Sequence, residues 1–265
     1  MYSHFQLAKK YISYYFSASN GKGHGTHSPF IFHFITKVVN DKNNFSEYDI
    51  VENLRSDLLN DKTIVTIEDF GAGSSINKTN TRTVAAIAKN SAKPKKFGQL
   101  LFRMVKAYQP ETILELGTSL GLTTSYLSLA KPTAKLITME GATEVAVIAN
   151  KNFQKVEAKN IEIIKGNFDH VLSTVVRGLS TIDFAFIDGN HRQQPTENYF
   201  NQLLTKINNS SILIFDDIHW SAEMEAAWET IKNHPSVRST VDLFFIGIVF
   251  FRSEFHEKEH FTIRF

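Results

Sequence analysis

Apolar positions recur at three- and four-residue intervals over residues 4–18, which predicts an amphipathic helix. The pattern breaks at NGKGHGTHSPF, where three glycines and a proline predict a loop, and a second apolar stretch at 30–39 predicts another helix. Residues 48–59 read as a helix, 63–67 as a short strand and 82–92 as a helix; Lys93-Pro94 then punctuates, and 97–108 resumes helical periodicity. From Glu111 the pattern changes. Short β-rich runs, TILEL, KLITME, IEIIKG, IDFAFID and SILIFDD, alternate with helical stretches at 120–130, 143–157, 168–178, 195–207 and 221–233. Such alternation predicts a parallel sheet with helices on both faces. TVDLFF and GIVFFR follow each other too closely for a crossover helix, so they should pair antiparallel and end the sheet in a hairpin. The expected fold is α/β, with a mostly parallel seven-stranded sheet. The expected domains are a helical N-terminal extension over 1–96 and the sheet domain over 97–265.

Composition narrows the chemistry. With 42% hydrophobic and 21% charged residues the chain reads as a soluble globular protein able to bury a core. A net charge of +2 does not favour nucleic acid as a partner. The absence of cysteine excludes thiolate nucleophiles, cysteine-held zinc, iron–sulfur clusters and disulfides. The N-terminus lacks a signal-peptide pattern, and the longest apolar run, 243–251, is far short of the roughly 20 residues that span a bilayer. A cytoplasmic protein without membrane contact is expected.

The first strand of the alternating region runs into Glu115-Leu116-Gly117-Thr118-Ser119-Leu120-Gly121. Glycines between a strand and a helix let backbone amides approach a ligand, and the acid ending the next strand, Glu140, stands where a carboxylate accepts hydrogen bonds from ribose hydroxyls. A glycine pair alone equally describes a tight turn; joined to Glu140 it favours a nucleoside site. The spacing departs from G-x-G-x-x-G, and an acid at the turn suits a cationic ligand better than a pyrophosphate.

This pattern resembles the class I S-adenosylmethionine-dependent methyltransferases, whose first motif is an acid followed by x-G-x-x-x-G. E-L-G-T-S-L-G is especially similar to the version in catechol-type small-molecule O-methyltransferases. The resemblance covers residues 97–252. It implies a Rossmann-like methyltransferase fold in which Glu115, Gly117 and Gly121 line the methionine part of S-adenosylmethionine and Glu140 holds the ribose. Gly166-Asn167-Phe168 would lie near the adenine, and Thr118, Ser119, Gly141 and Asp188 complete the cofactor set. A competing match, Ile67-Glu68-Asp69-Phe70-Gly71-Ala72-Gly73-Ser74, is not followed by an acid-tipped strand at the right distance and reads as an arm or turn.

Two further strands end in carboxylates, Asp188-Gly189-Asn190-His191 and Asp216-Asp217-Ile218-His219-Trp220. Parallel strands put both ends on one edge, where oxygen ligands suit Mg²⁺ and a cation lowers the pKa of a bound hydroxyl. His191 is the candidate general base. The likeness to metal-dependent O-methyltransferases acting on catechols and macrolide sugars implies Asp188, Asp216 and Asp217 as metal ligands. Asp217 could instead cap the helix near Trp220. His219 reads as a surface or supporting residue, and His24 and His27 as parts of a surface loop. The expectation is methyl transfer from S-adenosylmethionine to a hydroxyl of a small-molecule acceptor, assisted by Mg²⁺, with a homodimer left open. A nucleotide-dependent oxidoreductase and a non-catalytic S-adenosylmethionine-binding protein are the alternatives.

Overall fold

The structure, a computed structural model, describes residues 1–19, 21–23, 28–67 and 81–265. His24, His27 and the acid–glycine segment from Glu68 to Ser74 lie outside the described residues. In chain order the elements are α1 (His4–Ser17), α2 (Pro29–His33), a π-helical stretch (Phe34–Val39), α3 (Ser46–Asn60), β1 (Ile64–Thr66), β2 (Thr81–Thr83), α4 (Val84–Asn90) and α5 (Lys95–Tyr108). The alternating region supplies β3 (Thr112–Leu116), α6 (Leu122–Ala130), β4 (Lys135–Glu140), α7 (Thr143–Lys155), β5 (Ile161–Lys165), α8 (Phe168–Gly178), β6 (Phe184–Ile187), α9 (Gln193–Leu204), β7 (Ile212–Asp216) and α10 (Ala222–Asn233). The chain closes with β8 (Ser239–Asp242), β9 (Ile246–Phe250) and β10 (Glu259–Thr262). It divides into two compact units, Lys42–Val171 and Met1–Asp41 with Leu172–Phe265.

In the Lys42–Val171 unit, β3, β4 and β5 are parallel neighbours, so Leu116, Glu140 and Lys165 end on the same edge. Ile113, Leu114, Leu136, Ile137 and Met139 are buried along these strands, as continuous apolar runs in a two-sided parallel sheet require. β1 and β2 form a separate antiparallel pair. Helix was expected from residue 82, but Thr-Arg-Thr pairs with Ile64–Thr66 as strand, and the helix starts at Val84 with Thr83 Oγ1 accepting the Ala86 amide. β-branched threonines pair readily as strand, and this one caps better than it continues a helix.

In the other unit β6 and β7 are parallel, β9 runs antiparallel to β7, and β8 pairs antiparallel with β9. The seven expected strands are β3–β9, and the mostly parallel arrangement ends in the expected hairpin. β10 is an additional edge strand, parallel to β8, whose sequence Glu-His-Phe-Thr carries too little apolar signal to predict it. Phe184, Phe186 and Phe250 are fully buried, and Phe244 and Phe251 nearly so, as core aromatics should be. Phe245 is 39% exposed at the hairpin turn, where the preceding Phe244 has φ 68°. α1 begins with a capping box in which Ser3 Oγ accepts the Gln6 amide and Gln6 Oε1 accepts the Ser3 amide. Its Tyr11 and Tyr14 rings pack on Phe244. Among the described residues no helix is long and apolar enough to cross a membrane.

Candidate active site

The glycine turn belongs to the Lys42–Val171 unit and is set by backbone conformation. Gly117 (φ 104°), Ser119 (φ 47°) and Gly121 (φ 80°) all occupy the left-handed region. The Gly117 and Thr118 amides donate to the Met139 carbonyl, each at 3.0 Å, which folds the turn back over the end of β4. Gly121 then caps α6, and a Cβ there would stand 2.4 Å from the Phe153 ring, so both conformation and space demand glycine.

Glu140, at the tip of β4, is half-buried, and its two oxygens accept different amides: Oε2 from Ser119 at 2.8 Å and Oε1 from Ala142 at 2.9 Å. An ionised carboxylate offers about four lone-pair sites, so these bonds orient the group while leaving it able to accept from paired hydroxyls. Glu115 is fully buried. Its Oε2 accepts the Thr138 hydroxyl at 2.6 Å and the Thr124 hydroxyl at 2.5 Å, and Thr138 also bonds Thr118 at 2.6 Å. Glu115 therefore braces the floor of the turn through threonines. Gly141 and Asn167–Phe168 are half-buried beside the ends of β4 and β5. The Gly166 amide donates to the Glu140 carbonyl at 2.9 Å, which sets the turn carrying Asn167 and Phe168 next to Glu140.

The second group belongs to the unit containing the termini. β6 and β7 are parallel, so Asp188 and Asp216 emerge on one edge. Asp188, His191 and Asp216 each bring a ligand atom within 4.8 Å of the others, and His191 Nε2 lies 3.4 Å from Asp188 Oδ1. Asp216 is 1% exposed, whereas the Asp188 and His191 side chains keep 22% and 21% exposure. Asn190 (φ 68°) and His191 (φ 42°) form a consecutive left-handed pair, and Asn190 Nδ2 donates to the buried Tyr199 hydroxyl at 2.9 Å, fixing the bend that turns His191 toward Asp188. The Trp220 ring lies beside the His191 ring, with centroids 5.6 Å apart.

Asp217 stands outside this group. Its backbone is left-handed (φ 53°) and its amide donates to the Phe245 carbonyl at 2.7 Å. Nor does it cap the next helix, because Ser221 Oγ accepts the Met224 amide and fills that role. His219 bridges two carboxylates, Nε2 to Asp242 Oδ2 at 2.7 Å and Nδ1 to Glu225 Oε1 at 3.0 Å. Burial opposes charge on this ring, but the hydrogen bonds and charges of Asp242 and Glu225 outweigh it and hold His219 above the usual imidazole range. Glu225 also accepts from the Tyr2 hydroxyl and Lys10, which ties α1 to α10.

Sequence reasoning missed Thr124 and Thr138 as partners of Glu115, Thr118 as the partner of Thr138, Tyr199 as the brace of Asn190, and Trp220 as the neighbour of His191. Thr138, a lone hydroxyl inside the apolar run KLITME, was the one available signal.

The Asp188 and Asp216 carboxylates at this spacing offer oxygen donors that fit a divalent cation of the Mg²⁺ or Mn²⁺ type, with the His191 imidazole beside them. The turn, with its acid at the tip of the neighbouring strand, fits a nucleoside.

Residues 114–218 match the family model of a methyltransferase domain. Over that stretch the chain is similar to methyltransferase domains. A catechol O-methyltransferase of Niastella koreensis is 28% identical over 143 residues, 53% of this chain and 63% of that protein, so the chain spans less than two thirds of that curated relative's length. Among solved structures, an S-adenosylhomocysteine-bound methyltransferase of Podospora anserina superposes with a TM-score of 0.58 at 12% identity, covering 95% of this chain and 98% of that one. An O-methyltransferase of Streptomyces achromogenes involved in tomaymycin synthesis, in complex with S-adenosylmethionine, gives 0.53 at 21% identity, over 61% of this chain and 82% of that one. These structural likenesses show a fold shared with those proteins.

Proposed function

We propose that the protein transfers a methyl group from S-adenosylmethionine to a hydroxyl of a small molecule. The observation that carries this reading is the Glu140 carboxylate, held by the Ser119 and Ala142 amides beside the glycine turn. In the proposed assignment Glu140 accepts the two ribose hydroxyls of the cofactor. The Gly117–Gly121 turn brings main chain close to the methionine portion, and Phe168 lies against the adenine. Glu115 acts through the turn it braces.

The sulfonium supplies an already activated methyl group when bound, so the protein's own work is to position the acceptor and take its proton. His191 is assigned as the base that removes the hydroxyl proton, with Asp188 orienting its ring. Asp188 and Asp216 would hold Mg²⁺, which lowers the hydroxyl pKa when bound. The curated relative's name favours an acceptor of catechol type, with adjacent hydroxyls able to reach a cation together. Residues 1–96, outside the matched region, are assigned to acceptor selection, and the reaction to the cytoplasm.

The test is incubation with methyl-labelled S-adenosylmethionine and a panel of catechols, sugars and monophenols, with Mg²⁺ or with chelator. Label is expected on a hydroxyl oxygen, and only with Mg²⁺. Full transfer in chelator would remove the metal assignment, and no transfer to any acceptor despite cofactor binding would favour a non-catalytic binding protein.

A further inference from the structure

α1 carries apolar residues on two sides. One side faces its own unit: Tyr11 and Tyr14 pack on Phe244, the Tyr14 hydroxyl donates to the Ile263 carbonyl, and Lys10 pairs with Glu225 at 3.0 Å. The other side presents Phe5, Ala8, Ile12 and Tyr15, all exposed among the described residues. Their spacing of three, four and three is that of the a and d positions of a heptad, the pattern by which two helices interlock. Phe5 is 79% exposed, Ile12 56%, Tyr15 48% and the adjoining Phe16 77%, more bare apolar side chain than isolated surface residues explain.

We propose that this face of α1 pairs with α1 of a second copy, antiparallel about a two-fold axis near residue 10. In that register Phe5 meets the partner's Tyr15, ring against ring, and Ala8 meets the partner's Ile12, small against large. Both contacts recur by symmetry, as an isologous interface requires.

Area argues for this occupant. At about 200 Å² per aromatic side chain, the exposed parts of Phe5, Tyr15 and Phe16 offer roughly 400 Å² per copy. Two copies, with Ile12 and Ala8 included, bury on the order of 1,000 Å², the lower bound of a specific interface, so the dimer is reversible. Charge decides its salt response. Among residues 4–17, α1 holds His4, Lys9 and Lys10 and no acid, and the symmetry brings the two exposed Lys9 side chains near each other. Screening that repulsion tightens the pair as salt rises, whereas docking on an anionic surface would loosen.

Sedimentation velocity of the full chain across the micromolar range tests this. The expected result is a monomer–dimer equilibrium that shifts toward dimer in high salt and is abolished by Phe5→Asp/Ile12→Asp, with thermal unfolding unchanged. The chain has no cysteine, so Ala8→Cys and Ile12→Cys proteins give a second reading. Mixed under oxidant, they should crosslink faster than either alone. A monomer at every concentration, a dimer that survives the double substitution, equal crosslinking of mixed and single proteins, or binding to phosphatidylserine vesicles in place of self-association would overturn the proposal. It stands apart from the assigned reaction, whose failure would leave it intact.

Discussion

At the tip of β4 both oxygens of Glu140 accept backbone amides, whereas at the tips of β6 and β7 Asp188, His191 and Asp216 meet side chain to side chain. The first arrangement is fixed by main-chain geometry: three left-handed residues, a carbonyl taking two amides, and a glycine that a Cβ would drive into Phe153. The second is fixed by a bend braced from α9 and by an aromatic neighbour, and its Asp188 and His191 side chains keep some access to solvent while Asp216 is buried. A ligand held at many points suits the first, and a proton moved between few groups suits the second. Substitutions in the turn should therefore change affinity or stability, and substitutions in the side-chain cluster should change rate.

The largest effect is expected at His191. His191→Gln keeps the size and polarity of the side chain but cannot act as a base near neutral pH, and turnover should fall by about 10²–10⁴-fold with cofactor affinity unchanged. Equal loss in affinity and rate would show that the two regions do not divide the work. Gly121→Val adds a Cβ where φ is 80° and Phe153 lies at 2.4 Å. It should lower stability by roughly 2–4 kcal/mol in chemical denaturation, from overpacking and left-handed strain together; wild-type stability would mean the turn is not rigid.

Glu140→Ala removes acceptors for the Ser119 and Ala142 amides as well as for the proposed ribose, and calorimetry should show S-adenosylmethionine affinity weaker by about tenfold or more. The smallest effect concerns His219. Its folded pKa is raised, so its contribution is fully present below the unfolded value near 6.5 and is lost as pH rises through the folded value. His219→Gln should cost about 1–2 kcal/mol at mildly acidic pH, in thermal melts, and the gap to wild type should narrow in alkali. A gap that widens with pH would reverse the assignment of charge.

The division between the regions also separates what the sequence made legible. The alternating β and helical runs predicted β3–β9 because each apolar run is bounded by turn residues and each helix keeps its period. Gly117, Gly121 and Glu140 were readable because a turn of this kind needs particular residues at fixed spacing. β10 was not, since Glu-His-Phe-Thr owes its strand state to pairing with β8. Glu115 was legible as an acid at the turn but not as a buried one held by Thr124 and Thr138, because those partners come from other elements. Asp217 looked equivalent to Asp216; only the left-handed backbone that follows the end of β7 separates them. His219 between Asp242 and Glu225 is likewise a product of tertiary structure.

Calorimetric titration of the wild-type chain with S-adenosylmethionine, set beside NADH, tests the central claim most directly. Saturable binding of one S-adenosylmethionine per chain with no heat from NADH is the predicted result. Saturation by NADH with no S-adenosylmethionine binding would contradict the account and favour a nucleotide-dependent oxidoreductase.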